Sequence, residues 1–173
     1  METLYDEFLA INKKLAERFQ VVPTLFGSLG LQVRLRLESE KHASVDLNPD
    51  DIDILLPKQV MEERWDELFS LMENAGFTLV DLREHCFGRN DTRISFAAFD
   101  LDEFASIKSD DVPIVSDAGT SFRLLTLRQY LSVYEIFIGF EHRKGKRGKD
   151  NAKIDLIRQA LECDTRRNKN EQV

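Results

Sequence analysis

Asp51 and Asp53 alternate with Ile52 and Ile54 in the stretch DIDILLP, and Leu55 and Leu56 follow. Strand periodicity points alternate side chains the same way, so the two carboxylates share a face. Burying an unpaired carboxylate is costly. Two that close repel each other unless a cation lies between them or one takes up a proton. Mg2+ suits such a pair, because it is hard, prefers oxygen and is commonly held by one or two carboxylates plus substrate phosphates. Upstream, Gly27-Ser28 in TLFGSLG supplies a complementary half. Glycine lets backbone approach a phosphate closely, and a serine at a helix start offers its N–H and hydroxyl. One segment could thus hold a triphosphate and the metal that neutralises it. The structural alternatives are a plain Gly-Ser turn, Asp51 opening a strand after NPDD, and a salt bridge from Asp53 to Arg34 or Arg36.

The elements that would carry these groups read as follows. Leu4, Phe8, Ile11, Leu15 and Phe19 recur at helical spacing over 3–19, with Thr3 and Asp6 as a capping box. VVPTLF reads as a short strand running into Gly27. LQVRLRL alternates like a strand, yet its composition and a phosphate-binding turn favour helix for Ser28–Leu37. SEKHASVDLNPD is a polar loop, and DIDILLP a strand. Residues 58–75 read as one helix, with Val60, Met61, Trp65, Leu68, Phe69 and Met72 on its core face and Gly76 at its end. FTLVDLRE and TRISFAAF read as a strand pair around HCFGRND, LDEFASI as a helical turn or two, and VPIV and SFRLL as weaker strands. Thr126 and Gln129 form a second capping box before the apolar helix LRQYLSVYEIFIGF. EHRKGKRGK reads as a basic loop, and Asp150 as the cap of a last helix carrying Ile154, Ile157 and Leu161. The expected fold class is α+β: a small mixed sheet with packed helices and a C-terminal helical pair. Residues 1–163 form one domain in this reading, and 164–173 a mobile tail.

Composition narrows the function classes. The chain has 173 residues, 42% hydrophobic and 32% charged, as expected of one soluble globular domain. A net charge of −7 argues against nucleic acid or an anionic membrane as partner. No apolar run approaches the roughly 20 residues of a membrane span, and the acidic, amphipathic start METLYDEFLAINKKL does not read as a signal peptide. Cys86 and Cys163 lie outside any C-x-x-C pattern and read as reduced thiols of a cytoplasmic protein. His42, His85 and His142 share no metal-ligand spacing with them, which argues against zinc. Arg143, Lys144, Lys146, Arg147 and Lys149 could clamp a phosphate or form a solvated loop; they are too few and too free of aromatics for a nucleic-acid platform. Tyr130, Tyr134, Phe137, Phe140 and Trp65 read as core, and His85 as structural.

The order LFGSLG then DIDILLP resembles the nucleotidyltransferase fold of the DNA polymerase beta superfamily, whose Gly-Ser turn opens a helix before a strand bearing D-h-D. The gap between the two pieces is similar to that of small aminoglycoside and lincosamide nucleotidyltransferases. GKDNAKIDLI resembles the lysine-aspartate helix near their C-termini, with Lys149, Asp150 and Asp155 in matching places. The resemblance covers roughly residues 20–160 in order of elements. It implies that Gly27, Ser28 and Lys149 contact NTP phosphates and that Asp51 and Asp53 are catalytic and bind Mg2+. The implied reaction moves a nucleoside monophosphate from an NTP to a hydroxyl of a small molecule or partner protein, releasing pyrophosphate. One departure bears on this: the strand expected to carry a third carboxylate reads Arg93-Ile94-Ser95-Phe96. Serine cannot take a proton from a hydroxyl near neutral pH, and Asp100, Asp91 or Glu84 would have to substitute. The alternative function is therefore a catalytically silent nucleotide-binding or protein-interaction module of the same fold.

Overall fold

The computed structural model describes residues 3–38 and 46–170. His42 and most of the expected polar loop fall outside them.

A seven-stranded mixed sheet forms the centre. Its strands are β1 (Thr24–Phe26), β2 (Ile52–Leu56), β3 (Thr78–Asp81), β4 (Cys86–Arg89), β5 (Thr92–Ala98), β6 (Ile114–Asp117) and β7 (Thr120–Leu124). They lie in the order β3-β4-β5-β2-β1-β7-β6. β2 runs antiparallel to β1 and parallel to β5, so the strand with the two acids is central.

Both faces of the sheet are covered. Ile52, Ile54 and Leu56 point to one side with Ile94, Phe96 and Phe87. They are sealed there by α1 (Leu4–Phe19), α3 (Lys58–Glu63) and α4 (Trp65–Asn74). The capping box of Thr3 and Asp6 closes the start of α1. Phe8 of α1 meets Phe122 of β7 edge-on, their centroids 5.0 Å apart. On the opposite face, Leu55 packs with Leu31 and Leu35 of α2 (Gly27–Glu38) and Leu101 of α5 (Leu101–Ala105). α6 (Leu127–Phe137) adds Tyr130, Val133 and Tyr134, and α7 (Arg147–Asn170) adds Ile154 and Ile157. α6 and α7 are the C-terminal helical pair, and Thr126 with Gln129 caps α6.

Four sequence expectations need correction. The helix over 58–75 breaks at Arg64, whose backbone leaves the helical region (φ −125°, ψ 26°). That break lets the guanidinium lie 4.6 Å over the Phe19 ring and pair with Glu67. HCFGRND is no mere turn: it contains β4, which separates β3 from β5, so those two strands do not pair. The basic stretch is not a loop but a 3-10 turn, Glu141–Lys146, running directly into α7. Asp150 consequently lies inside the first turn of α7 rather than at its cap. It is 1% exposed and bonded to Arg143 Nε and Nη2, both at 3.1 Å. α7 runs from there to Asn170.

Candidate active site

The site forms where β1 ends and β2 begins. These strands are antiparallel, and Phe26 stands opposite Asp53. The chain leaving β1 therefore turns into α2 directly beside that carboxylate. Gly27 makes the turn at φ +65°, a conformation that strains any residue with a Cβ. Space requires glycine as well, since a Cβ there would overlap the Asp53 carboxylate. Farther along α2, a Cβ at Gly30 would overlap the Tyr130 hydroxyl and the Leu25 carbonyl. The helix is thus seated tightly on β1 and α6, with its N-terminal N–H groups beside Asp53.

Asp51 immediately precedes β2 and Asp53 is inside it; both are partly buried. Neither carboxylate has a hydrogen bond or ion pair among the described residues. Burial raises the Asp53 pKa to about 6, and the charge of Asp51 adds to the rise. Burial also raises Asp51, with Asp50 as the second cause. The cations Lys146 and Lys153 act on both acids, as do Arg143 on Asp53 and Arg93 on Asp51, yet both pKa values stay above normal. The salt-bridge alternative finds no support: Arg34 donates to the carbonyls of Leu125 and Leu124 at 2.8 and 2.6 Å and pairs with Glu38.

Among the described residues, no group of three or more His, Cys, Asp or Glu side chains converges as a metal site. A divalent cation here would take its protein ligands from Asp51 and Asp53, with phosphate or water oxygens completing the shell. Two unpartnered carboxylates held above their ordinary pKa fit a hard cation that keeps open positions.

Gly27, Ser28, Asp51 and Asp53 are brought together. Lys149 lies in the first turn of α7 with its side chain exposed. The cation that reaches the turn is Lys153, one helical turn farther on, whose Nζ donates to Ser28 Oγ at 2.8 Å and lies 4.9 Å from the Tyr134 ring centroid. Burial lowers its pKa. The sequence carried a signal for it, because helical spacing puts positions 149 and 153 on one face.

β5 settles where the departing residue stands. Ser95 is in register with Asp53 on the adjacent parallel strand. Asp100 lies beyond β5 at the end where Leu56 pairs with Ala98, away from Asp51. Asp91 and Glu84 are exposed in the turns that flank β4.

This arrangement of sheet, turn and acid pair is a nucleotidyltransferase-like fold. A solution structure of the antibiotic-resistance factor ANT(2'')-Ia superposes with a TM-score of 0.53 at 16% identity, over 99% of this chain and 98% of that one. A crystal structure of ANT(2")-Ia in complex with adenylyl-2"-tobramycin gives 0.51 at 16% identity, over 94% and 99%. At this identity the likeness establishes the fold. No family model matches the chain. It is 36% identical over 161 residues to the uncharacterized protein YnaI of Bacillus subtilis (strain 168), covering 91% of this chain and 97% of that protein. The chain belongs to the same family as YnaI.

Proposed function

We propose that the chain, built on the plan of the DNA polymerase beta superfamily, is an Mg2+-dependent nucleotidyltransferase. It moves a nucleoside monophosphate from an NTP to a hydroxyl of a small molecule or partner protein. The observation that carries this reading is the contact of the Gly27 turn with Asp53, which sets a helix N-terminus beside two unpartnered carboxylates. The backbone N–H groups at Gly27 and Ser28 and the Ser28 hydroxyl bind the phosphates. Lys153, already at Ser28, holds the charge that grows on the departing pyrophosphate. Asp51 and Asp53 hold the metal, which when bound supplies charge neutralisation of the triphosphate. In-line displacement asks the protein mainly for positioning and charge, both of which these residues supply. The solved ANT(2")-Ia complex contains an adenylylated tobramycin, which supports a small-molecule acceptor here. The free thiols Cys86 and Cys163 support a cytoplasmic setting. No helix among the described residues is long and apolar enough to cross a membrane.

A second reading, a silent nucleotide-binding or protein-interaction module, is favoured by one observation: serine stands in register with Asp53. Incubation with each common NTP, Mg2+ and a metabolite pool, scored by pyrophosphate release, separates the two. Acceptor-dependent release supports transfer. Nucleotide binding without release supports the silent nucleotide-binding module, and absence of binding refutes transfer and leaves the protein-interaction module.

A further inference from the structure

The order of strands fixes two sides of the site. β2 carries the acids, β1 and α2 lie on one flank, and β5 lies on the other. In the reading above, on which this inference rests, the pyrophosphate leaves on the flank of Ser28 and Lys153. An attacking oxygen in line with it must come from the opposite flank, over β5. The side chains that β5 offers there are Ser95, in register with Asp53, and Arg93, two residues earlier, whose charge acts on Asp51.

Arg93 is exposed and has no hydrogen bond or ion pair among the described residues. Gly88 of β4 faces it, so no carboxylate on that strand competes for it. It alternates with Ile94, which is buried in the opposite face, so Arg93 shares the face of Ser95 and the two acids. Several other arginines are engaged. Arg34 holds carbonyls, Arg89 pairs with Glu7, and Arg143 pairs with Asp150. The charge of Arg93 acts on Asp51 without a direct ion pair, and a planar guanidinium so placed recognises phosphate or carboxylate through paired hydrogen bonds.

We propose that Arg93 and Ser95 form the acceptor subsite and that the acceptor is an anionic small molecule, bound through a phosphate or carboxylate group gripped by Arg93. A polycationic aminoglycoside would meet like charge at this position. The oxyanion is a handle rather than the reacting atom. The bond that forms joins an acceptor hydroxyl oxygen to the α-phosphorus. The bond that breaks joins that phosphorus to the bridging oxygen, which departs with its electron pair as pyrophosphate, and the hydroxyl proton passes to solvent.

The test uses the full chain, saturated with Mg2+ and the α,β-methylene analogue of whichever NTP binds tightest, so that the triphosphate side is blocked. Glucose 6-phosphate, glucuronate, glucose and tobramycin are then titrated by calorimetry against wild type, Arg93→Gln and Arg93→Lys. At least one anionic probe should bind about tenfold or more tightly than glucose, the worth of a hydrogen bond to a charged group. Arg93→Gln should lose that preference and Arg93→Lys retain part of it, each titrated at a nucleotide concentration that saturates that variant. Preference for the phosphate probe or for glucuronate identifies which oxyanion the subsite takes. The inference is overturned if neither anion binds better than glucose, if tobramycin binds best, or if Arg93→Gln leaves the preference intact. If no nucleotide analogue binds, the underlying nucleotide-site reading fails instead.

Discussion

Asp53→Asn separates a metal site from a structural pair. The substitution keeps shape and removes one charge. The carboxyl of Asp53 is raised from an ordinary 3.8 to about 6, with burial as the main cause. A raised carboxylate pKa means that the folded state holds its proton more tightly than the unfolded chain. Stability therefore falls as pH rises from 3.8 towards 6, and the penalty is complete above that window. At about 1.4 kcal/mol per pH unit, the ionised group costs the fold ~3 kcal/mol at pH 7. The amide still needs polar partners at a partly buried position, which returns some of this gain. The net expectation is a variant about 1–2 kcal/mol more stable than wild type at pH 7.5 without ligand. At roughly 2–4 °C per kcal/mol for a chain of this size, the melting temperature rises by about 2–8 °C. The difference should shrink as pH falls through 6 and reverse near 4, where wild type is neutral too and only the cost of the amide remains. Mg2+ with NTP should raise the melting temperature of wild type and not of the variant; a ligand at about 100 times its Kd contributes ~2.7 kcal/mol. Thermal melts across pH, with and without Mg2+ and NTP, read every part of this. A loss of about 3–5 kcal/mol in the ligand-free variant, the cost of breaking a buried ion pair, would refute the reasoning.

Gly27→Ala forces a Cβ at φ +65° into the Asp53 carboxylate. It should cost about 1–2 kcal/mol or more in a denaturant melt and remove nucleotide binding. Lys153→Met should weaken NTP binding by about tenfold or more, in line with one lost charged hydrogen bond, while folding holds in circular dichroism. Lys149→Ala should weaken it to a smaller degree, and equal effects would put the two lysines in the same role. Ser95→Asp places a third carboxylate in register with Asp53. It should lower ligand-free stability through like-charge repulsion and tighten Mn2+ or Mg2+ binding in calorimetry; unchanged metal affinity would remove Ser95 from the site.

Much of the site lay in local pattern. Period two placed Asp51 and Asp53 on one face, and the Gly-Ser turn opened a helix because glycine is the residue that reaches φ +65° at low cost. Both capping boxes were legible because their partners sit three residues apart. The interruption at Arg64 was not, since it depends on Phe19, an aromatic ring on another helix. β4 escaped because it is four residues long, contains Gly88, and is bounded by His85 and Asn90, both at positive φ. Asp150 looked like a cap because its partner, Arg143, seemed to belong to a loop. Lys153 reaches Ser28 across 125 residues, a distance that only the assembled sheet and α7 close.

The fit of Gly30 has a thermodynamic consequence. A glycine inside a helix costs about 1 kcal/mol relative to alanine, and here it admits the Tyr130 hydroxyl and the Leu25 carbonyl. α2 is thereby clamped between strand and helix before any nucleotide arrives. Binding at its N-terminus would not have to order a floppy loop, a step that usually consumes part of the interaction energy. The entropy of arranging those N–H donors is lost once, during folding, and the phosphates meet a cradle already set.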